Sequence, residues 1–164
     1  MTRKSSILAV ASSLGMAAVV MFSGGSVSAQ EKTSYVGPSI GFGSGNTVYG
    51  INAKFKVADD ISVRPFIQFG NRSEGPVSAS LTLYGASATY DFNLPQSEFK
   101  PYAGVGFLGA TASVSVPGAS VSGTGSGIYL EVGSDYNISD TIALNANYKF
   151  RDGGYLSVGG AYRF

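Results

Sequence analysis

The sequence lacks three residue types entirely, because its 164 residues include no cysteine, no histidine and no tryptophan. Without cysteine the chain can form no disulfide, and it offers no thiol for a lipid anchor. Without histidine it lacks the usual general base for a serine nucleophile, and it has no His or Cys ligand for zinc. These absences argue against disulfide-stabilised secreted domains, zinc sites and hydrolases that need a histidine or a cysteine.

An excess of charge of one sign is also missing. Beyond residue 29 the chain carries nine Lys or Arg and ten Asp or Glu. This balance gives no basic surface for nucleic acid, so we predict no nucleic-acid partner. The motif GVGFLG (104–109) is followed by Ser- and Val-rich sequence and Pro117, not by a helix that could hold a pyrophosphate. We interpret its glycines as space-saving residues in a strand, and we predict no cofactor and no metal.

The first 29 residues have the three parts of a secretory signal peptide. Arg3 and Lys4 form a basic start, an uncharged apolar stretch covers 7–22, and small residues lead to Ala29. The alternative is an uncleaved membrane anchor, but a spanning helix usually needs about 20 unbroken apolar residues. We predict cleavage before Gln30, which leaves residues 30–164 as one domain.

The rest of the chain alternates apolar and polar residues with the period of two that is typical of β-strands. Gly, Asn, Asp, Ser and Pro fill the gaps between the alternating segments, as expected for turns. Short turns follow the second, fourth and sixth segments, whereas the loops predicted at 71–79 and 112–125 lie at the opposite end. The pattern predicts eight strands, at 33–42, 47–57, 61–70, 80–92, 100–111, 126–136, 141–150 and 155–164.

Charged residues within the predicted strands occupy only one of the two faces. The other face is mainly apolar, although the first and fourth strands alternate less regularly. The charged face is otherwise rich in Gly, Ser, Asn, Gln and Tyr. Its charged residues are Lys54, Lys56, Arg64, Asp91, Lys100, Glu131, Asp135, Lys149 and Arg163.

Two architectures fit this pattern. A soluble barrel or sandwich packs its apolar face inward, whereas an outer-membrane barrel turns that face to lipid and its polar face to the lumen. The strand lengths suit a tilted crossing of a bilayer, and the polar face is too rich in glycine for an exposed one. Aromatic residues also sit at the strand ends of the apolar face, as in the girdles of membrane barrels: Phe42, Phe69 and Phe150 at one rim, and Phe55, Tyr90, Phe92, Tyr136 and Phe164 at the other. We therefore predict an all-β fold, an eight-stranded antiparallel up-and-down transmembrane β-barrel whose charged residues face the lumen.

The end of the chain resembles the C-terminal signal of bacterial outer-membrane proteins, which the barrel-assembly machinery recognises. That signal is a terminal strand with alternating apolar residues and a final aromatic residue, represented here by Leu156, Val158, Gly160, Tyr162 and Phe164. The segment KPYAGVGFLGA (100–110) is similar to a strand motif of the small outer-membrane β-barrel family that includes opacity-type proteins and OmpA-like transmembrane domains. The resemblance covers the chain after the signal peptide as a pattern. It implies an outer-membrane location in a Gram-negative-type cell, contact with lipid, and the assembly machinery as a partner during biogenesis. We expect no peptidoglycan-binding domain of the OmpA-like type after the barrel.

The predicted function is that of a non-enzymatic integral outer-membrane protein, with a structural or surface-contact role through the loops at 71–79 and 112–125. One alternative is a narrow passage for small solutes, and another is a soluble periplasmic barrel that binds an apolar ligand. Asp91, Glu131 and Asp135 could in principle form a catalytic carboxylate pair. In a closed lumen, however, we expect them to pair with lumen cations such as Lys54, Arg64, Lys100 or Arg163 and to plug the barrel, with hydrogen bonds to Tyr102 and Tyr129. We predict a monomer and leave its surface partner open.

Overall fold

The protein folds as a closed antiparallel barrel in which each strand pairs with the next and the last strand pairs with the first. The structure, a computed structural model, describes residues 33–43, 46–151 and 153–164, and the predicted signal peptide lies outside these residues. No helix in the described ranges is long and apolar enough to cross a membrane. The predicted fold class is confirmed, with eight strands: β1 (Tyr35–Gly43), β2 (Asn46–Ala58), β3 (Ile61–Glu74), β4 (Val77–Asp91), β5 (Phe99–Val116), β6 (Ala119–Asn137), β7 (Ile142–Phe150) and β8 (Tyr155–Arg163).

The barrel closes through the pairing of β1 with β8. Tyr35 lies opposite Arg163, and Phe42 at the other end of β1 lies opposite Leu156. The backbone N–H of Phe164 continues this ladder by donating to the carbonyl oxygen of Ser34 at 3.0 Å. The final residue of the chain therefore takes part in closure. Closure leaves no strand edge unpaired at membrane depth, where no water could replace the missing hydrogen bonds.

The loops predicted at 71–79 and 112–125 are largely wrong, because most of these residues belong to strands. Only Gly75 and Pro76 separate β3 from β4, and only Pro117 and Gly118 separate β5 from β6. Pro117 followed by Gly118, whose φ is +85°, suits the central positions of a type II turn. The alternating Val, Ser and Thr residues beside this turn favour a paired strand. Two long hairpins thus take the place of two flexible loops.

The two faces of the barrel have the polarity predicted for a membrane protein. The outward face exposes aliphatic side chains such as Ile51, Ile67 and Leu130, whereas buried inward positions are mostly polar. Aromatic residues pair at the ends of the strands, with ring centroids 5.1 Å apart for Tyr90 and Phe92 and 4.8 Å apart for Tyr148 and Phe150. This distribution is the inverse of a soluble barrel, in which the apolar face would be buried.

Glycines on the inner face provide room for large lumen side chains. The Tyr129 ring lies directly over Gly106, and a Cβ atom at Gly133 would be 2.5 Å from the hydroxyl of Tyr102. Gly104 and Gly106 both lie within β5 and pair with β6. The interpretation of GVGFLG as strand sequence with space-saving glycines is therefore confirmed.

Candidate functional site

Arg64 is the centre of a buried network in the half of the lumen that lies next to the chain termini and the turns after β2, β4 and β6. Its Nη2 atom donates to Asp91 Oδ1 at 3.0 Å and to Asp135 Oδ2 at 2.9 Å. Its Nε atom donates to Thr89 Oγ1 at 3.0 Å, and its Nη1 atom donates to Tyr35 Oη at 2.7 Å. Every nitrogen of the guanidinium group is thus engaged, which fixes the side chain in place.

Lys54 completes the charge balance around Arg64. Its ammonium nitrogen lies 2.7 Å from Asp91 Oδ2 and 3.1 Å from Asp135 Oδ2. Two cations therefore face two carboxylates, and all four side chains are almost completely shielded from solvent. Since a buried charge is tolerated only when it is paired and hydrogen-bonded, this stoichiometry makes the cluster compatible with the barrel interior.

A chain of amide and ammonium groups along β7 connects this cluster to a second ion pair. Asn145 Nδ2 donates to Asp135 Oδ1 at 2.7 Å, and Asn147 Nδ2 donates to Asn145 Oδ1 at 2.8 Å. Lys149 Nζ then donates to Asn147 Oδ1 at 2.6 Å and lies 3.6 Å from Glu131 Oε1. The alternate, inward-facing residues of a single strand thus extend the network toward the outer end of the lumen.

The network crosses the lumen from wall to wall. Arg64 projects from β3 and Asp135 from β6, which is three strands away in the closed sheet. The guanidinium carbon of Arg64 also lies 3.4 Å from the centroid of the Tyr102 ring of β5. The cavity left beside Arg64 is about 10 Å³, roughly the space of one water molecule. The lumen is therefore filled at this depth.

The structure brings together six of the nine predicted lumen charges and leaves the other three at the rim. Among the described residues, Lys56, Lys100 and Arg163 form no ion pair, and Arg163 donates instead to the carbonyl oxygen of Ser139 at 3.3 Å. The paired set is Lys54, Arg64, Asp91, Glu131, Asp135 and Lys149. The predicted pairing of lumen carboxylates with Lys100 or Arg163 is thus not what the structure shows.

Several neutral residues belong to the network although the charge pattern of the sequence did not indicate them. Tyr35 donates its hydroxyl proton to Asp135 at 3.0 Å, and Asn145 and Asn147 link the two groups of charges. Their position on the polar face of a strand was the signal that could have identified them. Of the two predicted tyrosine contacts, Tyr102 Oη accepts from Asn145, whereas the hydroxyl of Tyr129 has no hydrogen-bond partner in the described part of the chain.

The chemistry of this network is that of a plug. The Asp91 and Asp135 carboxylates and the Lys54 and Arg64 cations are paired with one another across the lumen. In the ranges that the structure describes, no group of three or more carboxylate, His or Cys side chains could hold a metal ion.

Replacing Arg64 with alanine is expected to destabilise the barrel, whereas Arg163→Ala serves as the matched control at the rim. Loss of Arg64 leaves two buried carboxylates with Lys54 alone, and such a broken pair costs about 3–5 kcal/mol in the free energy of unfolding. Arg163→Ala removes only the hydrogen bond to the Ser139 carbonyl at the rim and should cost about 1 kcal/mol or less. Urea unfolding in lipid vesicles, followed by circular dichroism, measures both values. Equal losses from the two variants would show that the Arg64 network does not contribute specifically to stability.

Several solved structures share this architecture, and they are outer-membrane barrels. The N-terminal β-barrel domain of Pseudomonas aeruginosa OprF is 16% identical, with a TM-score of 0.60 over 80% of this chain and 96% of that one. Neisserial surface protein A is 24% identical, with a TM-score of 0.59 over 80% and 94% of the two chains. Ail, the attachment invasion locus protein of Yersinia pestis, is 17% identical, with a TM-score of 0.58 over 80% and 96%.

These similarities show the fold, and the sequence itself shows the family. No curated protein matches the chain. Residues 7–163 match the family described as "Outer membrane protein beta-barrel domain", which agrees with the lipid-facing apolar surface and the closed strand order. The soluble periplasmic barrel is therefore excluded, and the chain belongs to the outer-membrane β-barrel domain family, whose members reside in the outer membrane.

Proposed function

We propose that this protein is a non-enzymatic surface protein of the outer membrane that makes contacts outside the cell through its two long hairpins, β3–β4 and β5–β6. The observation that carries the proposal is the unequal height of the barrel wall. Strands β5 and β6 have 18 and 19 residues, whereas β7 and β8 have 9 each. The extra length is not needed to cross the bilayer, since about 9–11 residues suffice.

The orientation of the barrel supports an external position for these hairpins. An even number of strands places both termini on the same side, next to the turns after β2, β4 and β6. Because export delivers the N-terminus to the periplasm, the end of the barrel that carries both termini faces the periplasm. Both long hairpins then project from the opposite, outer surface.

The chemistry of the β5–β6 hairpin restricts the kind of contact that it can make. From 101 to 130 the sequence contains no charged residue and is dominated by Gly, Ala, Ser, Thr and Val. In the projecting part of the β3–β4 hairpin the charged residues are Arg72 and Glu74, which pair with each other. Ail has been seen with the heparin analogue sucrose octasulfate. The uncharged hairpin here favours neutral surfaces instead, with contacts through small hydroxyl side chains and exposed valines such as Val121.

An enzymatic role finds no support in the lumen or in the composition. The sequence has no His or Cys, and the carboxylates that could have formed a catalytic pair are held in ion pairs. The surface-contact role needs only an anchored, rigid hairpin. The ion pairs of Arg64 connect opposite walls of the barrel and so provide that anchor.

Shortening the β5–β6 hairpin is expected to abolish surface contact without disturbing the barrel. Deleting 113–116 and 119–122 removes four opposed pairs and keeps the Pro117–Gly118 turn, so the alternation of the remaining ladder and its register are unchanged. Attachment to cultured epithelial cells and to polystyrene should fall to the level of bacteria that lack the protein. Counting retained bacteria measures this, with Asp59→Asn at a periplasmic turn as the control. Equal attachment by both variants, at equal levels of folded barrel, would leave a purely structural role in the membrane.

The closed lumen argues against a passage for solutes, and purified protein in a planar bilayer should show no sustained single-channel steps. Eight strands give an interior that side chains can fill, whereas water-filled channels belong to barrels of about 16 strands or more. Here the side chains of Arg64 and Asp135 meet across the lumen. The Arg64→Ala protein provides a comparison in which the plug is weakened. Regular, well-resolved conductance from the unaltered protein would contradict the closed lumen and favour the passage.

We further propose that the alternating residues Leu156, Val158, Gly160, Tyr162 and Phe164 form the signal for the barrel-assembly machinery. Leu156, Val158, Tyr162 and Phe164 all expose their side chains on the outer face, where another protein can contact them before the barrel closes. Deletion of Phe164, or Phe164→Asp, should therefore lower the amount of folded protein in the outer membrane, while Phe164→Tyr should preserve it. Gel mobility with and without boiling measures the folded fraction. Normal levels of the deletion variant would refute this role.

A further inference from the structure

The outer half of the lumen differs from the filled half because it contains an open cavity of about 320 Å³. This outer cup, as we name it, lies beyond Lys149 and opens at the end of the barrel where the long hairpins project. All eight strands contribute residues to its lining. The principal apolar contributors are Val48, Phe66, Leu81, Leu83 and Leu108.

The three leucines of the outer cup occupy lumen positions, which elsewhere in this barrel are mostly polar residues or glycine. Leu81 and Leu83 share the inward face of β4 with the buried residues Ser87, Thr89 and Asp91. Yet each leucine is only partly buried, because the cup is open above it. Partly exposed apolar side chains inside a concave site are the usual wall of a binding pocket for a small molecule.

The floor of the outer cup offers no net charge to a ligand. Lys149 Nζ lies 4.7 Å from the centroid of the Phe66 ring, but its charge is balanced by Glu131 at 3.6 Å and it donates to Asn147. The hydroxyl of Tyr155 is likewise engaged, since it donates to Gln68 Oε1 at 2.7 Å. An anionic ligand would have to compete with Glu131 for the ammonium group, so the floor favours an uncharged molecule.

Arg151 closes the side of the outer cup where β6 rises above the shorter β7. Its Nη2 atom donates to the carbonyl oxygen of Ser126 at 2.9 Å. The guanidinium group lies against Gly127, where a Cβ atom would be 2.6 Å from Nη2. Glycine at this position therefore allows Arg151 to cover a gap in the wall that no strand fills.

We propose that the outer cup is a binding site for a small, uncharged, apolar molecule that enters from outside the cell. The volume suits such a molecule, since ligand pockets start at about 300 Å³, and the barrel walls enclose it too narrowly for a folded protein. The occupant is distinct from the surfaces that the hairpins contact, so this site goes beyond the proposed surface role and does not depend on it.

Methyl-labelled leucine NMR of the protein in lipid nanodiscs, titrated with indole, tests the site. The methyl groups of Leu81, Leu83 and Leu108 should shift and saturate as indole fills the outer cup. Leu130 and Leu156 face lipid and serve as internal controls, because their shifts should follow the partition of indole into the membrane and should not saturate. Parallel, unsaturated shifts at all five leucines would overturn the proposal.

Two variants separate the outer cup from the membrane. Ala110→Phe fills the cup, whereas Ala86→Phe adds the same side chain on the exposed outer face of β4. Ala110→Phe should weaken indole binding by about tenfold or more, a change of about 1.4 kcal/mol, and Ala86→Phe should leave it unchanged. Leu83→Gln makes the wall polar without adding bulk, and it should also weaken binding. Unchanged affinity in both cup variants, each folded by gel mobility, would exclude the site.

Discussion

Pairing of backbone hydrogen-bond groups at membrane depth is the constraint on which the rest of this structure depends. Lipid offers no partner for an exposed N–H or C=O group, so the eight strands must close into a ring. The ladder between β1 and β8 achieves closure and recruits even Phe164, through its hydrogen bond to Ser34. Closure turns one face of every strand to lipid and the other to a narrow interior. The apolar surface and the polar lumen are both consequences of it.

The narrow interior then determines how charge is accommodated. With eight strands there is no room for a water column, so the charged groups must satisfy one another directly. Arg64 does this best, because its planar guanidinium group reaches Asp91, Asp135 and Tyr35 at once. The large side chains need glycines opposite them, as where the Tyr129 ring covers Gly106. The charged groups, the large aromatic rings and the glycines beneath them therefore fill the lumen together.

The outer end of the barrel is less constrained, because water is available there to hydrogen-bond groups that the protein leaves unpaired. Strand pairing continues into the β3–β4 and β5–β6 hairpins, but the wall formed by β7 and β8 ends earlier. This difference in height exposes the inner face of the tall strands, and Leu81, Leu83 and Leu108 line the cup that results. The barrel thus has a filled lumen at one end, and an open apolar cup with two long hairpins at the other.

The sequence by itself determined the strand count, the face of each strand and the lumen position of charges such as Lys54 and Arg64, because period-two alternation and the polarity of each face are local properties. It also indicated the glycine-rich lumen. It did not predict that β5 and β6 stay paired through 112–125, since Ser- and Gly-rich sequence is equally typical of loops. Nor could it choose partners within the lumen. Arg64 rather than Arg163 pairs with Asp135, because which side chains meet depends on the register and curvature of the closed barrel, and these arise only when all the strands pair.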